Sequence, residues 1–159
     1  QGFTLATPLQ MALVMSEAAN GGKKYRPYLV KDIIAPDGTV IKHFDPVVER
    51  DLNIDPAVIS LVQEGLHEVS TVGTAAAMFK DFPVPIAGKT GTAENSHGRD
   101  HGWFVAYGPF DNPNIAVAVI VENAGYGATS AVPIGYKILS AAFGLDKPKT
   151  PENQPAPAQ

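Results

Sequence analysis

The sequence contains no cysteine, which excludes disulfide bonds and metal sites built on thiolate ligands. Charged residues are also few, at 18 % of the 159-residue chain, and they form no basic block. The net charge of −4 argues against nucleic acid, whose phosphates require a basic surface, so we predict no nucleic-acid partner. The longest uninterrupted apolar run, from Ile115 to Val121, is far too short to cross a bilayer as a helix.

The residues that are present indicate a soluble globular domain. Apolar residues make up 45 % of the chain, and its length is sufficient for one domain with one core. The chain begins with Gln1-Gly2, without an initiator methionine or a signal peptide. We therefore expect it to be a piece of a longer protein.

The first helix is predicted from Thr7 onward. Thr7 and Gln10 have the spacing of a capping box, and Pro8 suits the first helical position. The stretch from Leu9 to Ala19 is apolar around most of its circumference, so we expect this helix to be largely buried. Asn20-Gly21-Gly22 should end it, because glycine favours the conformation that follows a helix.

A hairpin and a second helix come next. The segments Tyr28–Ile34 and Val40–Phe44 flank Pro36-Asp37-Gly38, which is a strong turn sequence. Asp55-Pro56 is predicted to open the second helix. Its expected apolar face is formed by Val58, Val62, Leu66 and Val69.

The second half of the chain predicts a meander of three strands and a final helix. The strands are Ile86–Ala93, Trp103–Tyr107 and Ile115–Val121, and the unbroken apolarity of the third favours a central position with both faces covered. The helix, Ser130–Phe143, should pack on the sheet through Ile134, Ile138 and Ala142.

The fold class is therefore α/β, or α+β, with an antiparallel sheet covered by helices. Residues 1–145 form this domain, and residues 146–159, with four prolines, are predicted to be a disordered tail.

The main candidate for chemistry is the stretch Lys89-Thr90-Gly91-Thr92 in the first strand of the meander. Glycine inside a strand often marks the close approach of a ligand or another backbone, and Gly88 and Gly91 flank these polar residues. A lysine between hydroxyl groups can bind a carboxylate. In a regular strand, however, Thr90 and Thr92 lie on one face and Lys89 on the other, so a bend would be needed to unite them. The alternative is an edge strand with a solvated lysine.

A second constellation, His97, Asp100 and His101, has a spacing that could supply ligands to a metal. We favour instead a polar loop beside the cleft, and we predict neither a metal nor a cofactor. Trp103, the only tryptophan, is expected in the core. Gly125-Tyr126-Gly127 is interpreted as a flexible connection, because it lacks the Lys-Ser or Lys-Thr of a phosphate-binding loop.

The order of these motifs resembles the class B penicillin-binding proteins. Lys-Thr-Gly belongs to the penicillin-recognising signature, and the helix opened by Thr7-Pro8-Leu9-Gln10 is similar to the one that precedes that motif in the family. His101–Val105 and Ala116–Val119 resemble the family's next two strands. The resemblance covers Gln1 to about Leu145 and is strongest to the elongation-type enzymes, the penicillin-binding protein 2 kind. It implies the C-terminal half of a transpeptidase domain, of the penicillin-binding and β-lactamase-like fold.

The resemblance also implies a function and roles for residues. The intact protein would be a serine-type D-Ala-D-Ala transpeptidase that cross-links peptidoglycan stem peptides during cell-wall elongation and is acylated by β-lactam antibiotics. Lys89 and Thr92 would be catalytic, Lys89 in proton relay and the Thr92 N–H in the oxyanion hole. Thr90, Gly91 and Thr92 would bind the substrate, with the two hydroxyls on its carboxylate. The protein would lie at the periplasmic face of the inner membrane, anchored by an N-terminal segment absent here, beside membrane proteins of the elongation complex.

Two motifs of the family are missing from this chain. It has no Ser-x-x-Lys, the nearest pattern being Ser96-His97-Gly98-Arg99, and no Ser-x-Asn. A serine acyl-transfer site needs a nucleophile beside a base, so this chain alone is expected to be inactive. Two alternatives remain at this point. One is a serine β-lactamase of the same superfamily, and the other is a β-lactam-sensing module that is acylated without turnover.

Overall fold

A computed structural model of the chain describes residues 4–146. The elements along these residues are α1 (Pro8–Ala19), β1 (Lys23–Tyr25), β2 (Asp32–Ile34), β3 (Val40–His43), β4 (Val48–Asp51), α2 (Pro56–Thr71), α3 (Ala76–Phe79), β5 (Ala87–Ala93), β6 (His101–Gly108), β7 (Ile115–Val121), α4 (Gly127–Ser130) and α5 (Val132–Ala142). No helix within this part of the chain is long and apolar enough to span a membrane. The tail predicted over residues 146–159 lies, except for Asp146, outside the described residues and stays a prediction.

The meander of three strands is confirmed as an antiparallel sheet in the order β5-β6-β7. The prediction that Ile115–Val121 is central was wrong, because β6 is the central strand and β7 lies at an edge among the described residues. The apolarity of β7 instead follows from contacts on both faces, α1 on one and α5 on the other. An unbroken apolar run indicates that both faces of a strand are covered, and this can be true of an edge strand as well as of a central one.

The larger part of the core lies between the sheet and α5. Its buried members include Phe79, Phe82, Ile86, Phe104, Ala106, Val117, Val119, Val132 and Leu139. The predicted final helix, Ser130–Phe143, is observed as α5, and the short helix α4 precedes it. Its predicted contact residues were wrong, since Ile134 and Ile138 are 42 % and 41 % exposed and Ala142 is exposed too. The buried face carries Val132, Gly135 and Leu139 instead. A Cβ on Gly135 would lie 2.4 Å from Cδ1 of Phe104, so the missing side chain lets the helix approach that ring.

The opposite face of the sheet carries α1. The capping box is confirmed, with the Gln10 N–H donating to Thr7 Oγ1 at 3.2 Å and the Thr7 N–H donating to Gln10 Oε1 at 2.8 Å. The expectation that this helix is largely buried was wrong. Met15 is its one buried residue, while Leu9 and Val14 are more than half exposed. Within residues 4–146 the sheet covers a single side of α1, whereas the sequence is apolar on several sides.

Two small sheets connect α1 to α2. The hairpin β2–β3 is confirmed, although its first strand is shorter than predicted. The pairing of β1 with β4 was missed, because both strands are short and polar and show no alternation of apolar residues. An ion pair between Lys24 Nζ and Glu49 Oε2, 3.3 Å apart, links these strands. The hydrogen bond from Lys24 lowers the pKa of the Glu49 carboxyl.

The start of α2 is as predicted, with the Asp55 carboxylate accepting the Ala57 N–H at 2.8 Å. Its predicted apolar face was wrong in the first half of the helix. Val58 and Val62 are 53 % and 47 % exposed. Leu66 and Val69, which are partly buried, pack against the core, because α2 reaches β5 only near its C-terminal end.

Candidate active site

The Lys89-Thr90-Gly91-Thr92 stretch lies in β5, at the edge of the sheet. Its pairing with β6 runs without a bulge from Ala87 opposite Tyr107 to Ala93 opposite His101. Among the described residues, no strand pairs with the other side of β5. The polar residues therefore line an open strand edge, where both faces of the sheet can be reached.

The faces of β5 follow from this register. Lys89 is opposite Val105, which belongs to the α1 side of the sheet, and Thr90 is opposite Phe104, which belongs to the α5 side. The predicted alternation of Lys89 with the two threonines is thus confirmed. The predicted bend that would unite them is absent, since the pairing of β5 with β6 has no register shift. An edge strand gives access to both faces of the sheet without a bend.

Two grooves meet along this edge, and all four residues line both of them. The first groove has a volume of about 410 Å³ and lies on the α4 side, where Thr74, Tyr126, Gly127 and Ala128 complete it. The second has a volume of about 550 Å³ and lies on the α1 side. Its further lining is mostly apolar and includes Leu5, Ala6, Met11, Trp103, Val105 and Ile120.

Glycines around these grooves allow neighbouring backbones to approach closely, because they have no side chain. A Cβ on Gly88 would lie 2.8 Å from the Val105 carbonyl oxygen, and one on Gly91 would lie 3.2 Å from Cβ of Trp103. Gly127, which we did not single out from the sequence as a close contact, has the tightest surroundings of the three. A Cβ there would lie 2.4 Å from the Gly91 carbonyl oxygen, so α4 rests directly on the backbone of the candidate site.

The Lys89 side chain is exposed, and its ammonium donates a hydrogen bond to the Thr90 carbonyl oxygen at 2.7 Å. Within residues 4–146, no carboxylate lies in ion-pair contact with it. An ammonium has three donors, and one of them is used here. Two donors therefore remain for a ligand or a hydroxyl group at the edge of β5.

Thr90 makes a contact that the sequence did not reveal. Its Oγ1 lies 2.7 Å from Oγ1 of Thr74, in the connection between α2 and α3. The two residues are 16 positions apart and belong to different elements, so no local pattern joins them. Thr74 also lines the first groove, which makes it a site residue that sequence reasoning missed.

His97 and Asp100 lie in the β5–β6 loop and His101 begins β6, but these side chains are not assembled around a metal position. No group of three or more His, Cys, Asp or Glu side chains in the described part of the chain is arranged to hold one. His101 Nδ1 instead accepts the backbone N–H of Asn123 at 2.9 Å, and the Asp100 carbonyl accepts the N–H of Gly125 at 2.8 Å. The loop is thus fastened to the β7–α4 connection.

Two further expectations concern the walls of the site. Trp103 was wrongly assigned to the core, since it is only partly buried and lines the second groove. The Gly125-Tyr126-Gly127 connection places Tyr126, which is 72 % exposed, on the wall of the first groove, which Thr74 also lines. Trp103 and Tyr126 therefore line the grooves and belong to neither core cluster.

Comparison with known proteins agrees with this geometry. The family model described as the penicillin-binding protein transpeptidase domain matches residues 1–140. The peptidoglycan D,D-transpeptidase MrdA of Haemophilus influenzae is 36 % identical over an alignment of length 158, and the match covers 87 % of this chain and 24 % of that protein.

Two solved structures extend the comparison. The imipenem acyl-enzyme complex of penicillin-binding protein A from Mycobacterium tuberculosis superposes with a TM-score of 0.78 at 35 % identity, covering 90 % of this chain and 32 % of that one. A structure described as a peptidoglycan synthase complex, which coordinates polymerization and crosslinking, gives a TM-score of 0.77 at 35 % identity, covering 92 % of this chain and 25 % of that one.

The present chain thus spans about a quarter of the length of MrdA and between a quarter and a third of these structures. The matched residues include the Lys89–Thr92 stretch, both grooves and every helix and strand up to the last turn of α5. The chain belongs to the penicillin-binding protein transpeptidase domain family.

Proposed function

We propose that this chain supplies the lysine-threonine edge of the active site in a peptidoglycan D,D-transpeptidase. The observation that carries the proposal is the open edge of β5, where the Lys89 ammonium and the hydroxyls of Thr90 and Thr92 line two adjoining grooves. A peptide that ends in a carboxylate fits such an edge, because an extended chain can lie along an unpaired strand while its charge meets these donors. The match of this chain to the transpeptidase domain family and its similarity to a protein named as a peptidoglycan D,D-transpeptidase support the proposal.

The reaction is a two-step acyl transfer on stem peptides. A serine hydroxyl from outside residues 1–159 attacks the carbonyl carbon of the D-Ala-D-Ala bond, giving up its proton to a base. The bond to the terminal D-Ala nitrogen breaks, that nitrogen is protonated, and D-Ala leaves. An amine of a second stem peptide then attacks the acyl ester, which restores the serine hydroxyl and leaves the two peptides cross-linked.

Each residue of the edge has a role in this scheme. Lys89 hydrogen-bonds a second serine outside this chain and helps to relay protons. Thr90 and Thr92 donate their hydroxyls to the substrate carboxylate, and the absence of a side chain on Gly91 lets the peptide approach the strand. The backbone N–H of Thr92 donates to the oxyanion that forms on the attacked carbonyl, where preorganised donors are most effective.

The same site would react with β-lactam antibiotics, which mimic the D-Ala-D-Ala end and acylate the serine. A relative's structure as an imipenem acyl-enzyme supports this part of the proposal. Membrane proteins of the elongation complex are the proposed partners, and the periplasmic face of the inner membrane is the proposed location, with an anchor N-terminal to this chain. A relative that forms part of a peptidoglycan synthase complex supports a partner of this kind.

The test uses the longer protein that contains this chain together with the serine motifs, called the full-length protein below. It is incubated with stem pentapeptide donors and an acceptor amine, and D-Ala release and cross-linked product are measured. We expect both products in equal amounts. The protein is also incubated with a β-lactam. Hydrolysis of the acyl-enzyme formed from the β-lactam, without cross-linking of peptides, would identify a β-lactamase instead, and a stable acyl-enzyme without any turnover of peptide would identify a sensing module.

A further inference from the structure

Thr74 is held in a rigid turn between α2 and α3. The N–H of Gly73 donates to the Glu68 carbonyl at 2.8 Å, and the N–H of Ala75 donates to the Val69 carbonyl at 3.0 Å. Ala75 is 1 % exposed and packs in the core beneath the turn. The backbone on both sides of Thr74 is therefore fixed, while its own side chain is exposed and points into the first groove.

The side chain meets one of the residues proposed to bind the substrate. Thr74 Oγ1 and Thr90 Oγ1 are 2.7 Å apart, a distance typical of a hydrogen bond between two hydroxyls. Either oxygen can be the donor. Each hydroxyl has a single O–H donor and two acceptor lone pairs, so the pair has two possible directions.

A bound carboxylate removes this freedom, because an ionised carboxylate can only accept hydrogen bonds. When Thr90 donates to the carboxylate, its one proton is used, and Thr74 must donate to Thr90. The result is a chain of two hydrogen bonds, from Thr74 through Thr90 to the anion, and each bond polarises the next. A ligand without a carboxylate leaves the pair free to choose either direction.

We propose that Thr74 is a positioning residue that strengthens recognition of the ligand carboxylate by donating its hydroxyl proton to Thr90. The inference rests on the proposed function and adds to it a residue that acts on the carboxylate through Thr90. Thr74 touches neither the oxyanion nor the nucleophile in this scheme. Its loss should therefore weaken the reaction of carboxylate-bearing ligands and leave the chemistry of acyl transfer unchanged.

The experiment measures second-order acylation rates of the full-length protein by a β-lactam and by the ester of the same β-lactam. Thr74→Val keeps the branched shape and removes the hydroxyl, and Thr74→Ser keeps the hydroxyl. Thr71→Val is the matched control, because Thr71 is an exposed α2 threonine that lies outside both grooves, and its hydroxyl donates to carbonyls of its own helix. Melting temperatures of all variants are recorded in parallel.

We expect Thr74→Val to slow acylation by the free acid about three- to tenfold, which is the range for one neutral hydrogen bond. Thr74→Ser and Thr71→Val should react like the wild type, and the ester should react at one rate with all four proteins. Equal rates of wild type and Thr74→Val with the free acid would overturn the inference. Equal slowing of acid and ester would overturn it too, since Thr74 would then only shape the groove.

The failure of the proposed function gives a different result, namely a wild-type protein that reacts with neither compound. Should Thr74→Val lower the melting temperature by several degrees, the comparison of Thr74→Ser with Thr74→Ala replaces it, since these variants differ by one hydroxyl. A serine variant that reacts faster than the alanine variant with the acid alone supports the inference. Equal rates of these two variants with the acid refute it.

Discussion

Lys89 tests the proposed site at the scale of one residue. In the full-length protein, Lys89→Ala should lower the rate of β-lactam acylation at least about a hundredfold, as expected for a group that takes part in proton transfer. The fold should survive, because this side chain is exposed and makes one hydrogen bond to the backbone. Acylation kinetics and circular dichroism measure the two effects.

Lys80→Ala is the matched control for that variant. Lys80 is also exposed and lies 4.0 Å from Asp81, outside both grooves. The control should acylate like the wild type. A Lys89→Ala protein that reacts at the wild-type rate would show that Lys89 is an ordinary surface lysine.

Tyr107 carries a prediction about stability and pH. The residue is fully buried, and its hydroxyl has no hydrogen-bond partner within the described residues. Burial raises the pKa of the Tyr107 phenol from 10.0 to about 12. The unfolded chain therefore ionises first, so the contribution of this group is complete below pH 10 and is lost as the pH rises toward 12.

Tyr107→Phe should leave the free energy of unfolding unchanged or raise it slightly at neutral pH, because the substitution removes an unsatisfied buried hydroxyl. The variant should also lose less stability than the wild type between pH 10 and pH 12. Chemical denaturation at several pH values measures both effects. A loss of more than about 1 kcal/mol at neutral pH would show that the hydroxyl has a partner beyond residues 4–146.

Individual site residues differ in how far the sequence reveals them. The stretch from Lys89 to Thr92 could be predicted, since its polar residues and glycines are contiguous in one strand. Thr74 and Asn123 could not, because each meets the site across a long stretch of chain, and only tertiary packing sets those distances. Asn123 has a φ of 54°, a conformation that asparagine tolerates, but the residue type alone predicts only a turn.

At the scale of elements, the contact between α5 and β6 depends on Gly135. Gly135→Ala should lower the stability of the full-length protein by about 1–3 kcal/mol, because the new methyl group would overlap the Phe104 ring. Gly65→Ala is the matched control in another helix, where no described atom lies within 4 Å of the added Cβ. That substitution should be neutral or stabilising by about 0.5–1 kcal/mol.

Thermal unfolding of the two alanine variants makes the comparison. Loss of stability in Gly135→Ala alone is the expected outcome. If both variants unfold at the wild-type temperature, α5 does not pack on the sheet through Gly135. The position of α4, which directly precedes α5, would then no longer be explained by this packing.

Local patterns predicted the elements better than their surroundings. Capping residues and turn sequences located α1, α2 and the β2–β3 hairpin, because those signals act within a few residues. The buried side of each helix was harder to predict. On α5 the apolar residues Ile134 and Ile138 suggested one face, and the close approach allowed by Gly135 selected another.

At the scale of the whole molecule, the grooves and the missing motifs lead to the same conclusion. The edge of β5 carries the threonine hydroxyls and the lysine to which we assign carboxylate binding and proton relay, but no serine among residues 4–146 lines either groove. Relatives of this chain are several times longer. We therefore expect the nucleophile to come from another part of the full-length protein and to act at the junction of the two grooves.

The most direct test of this account is covalent labelling with a fluorescent penicillin, followed by a denaturing gel. The chain of residues 1–159 and the full-length protein are treated side by side. The full-length protein should carry about one label per molecule, and the 159-residue chain should carry none, because it has the lysine-threonine edge without the serine that is acylated. Stoichiometric labelling of the short chain would contradict the account, since a nucleophile would then lie within these residues.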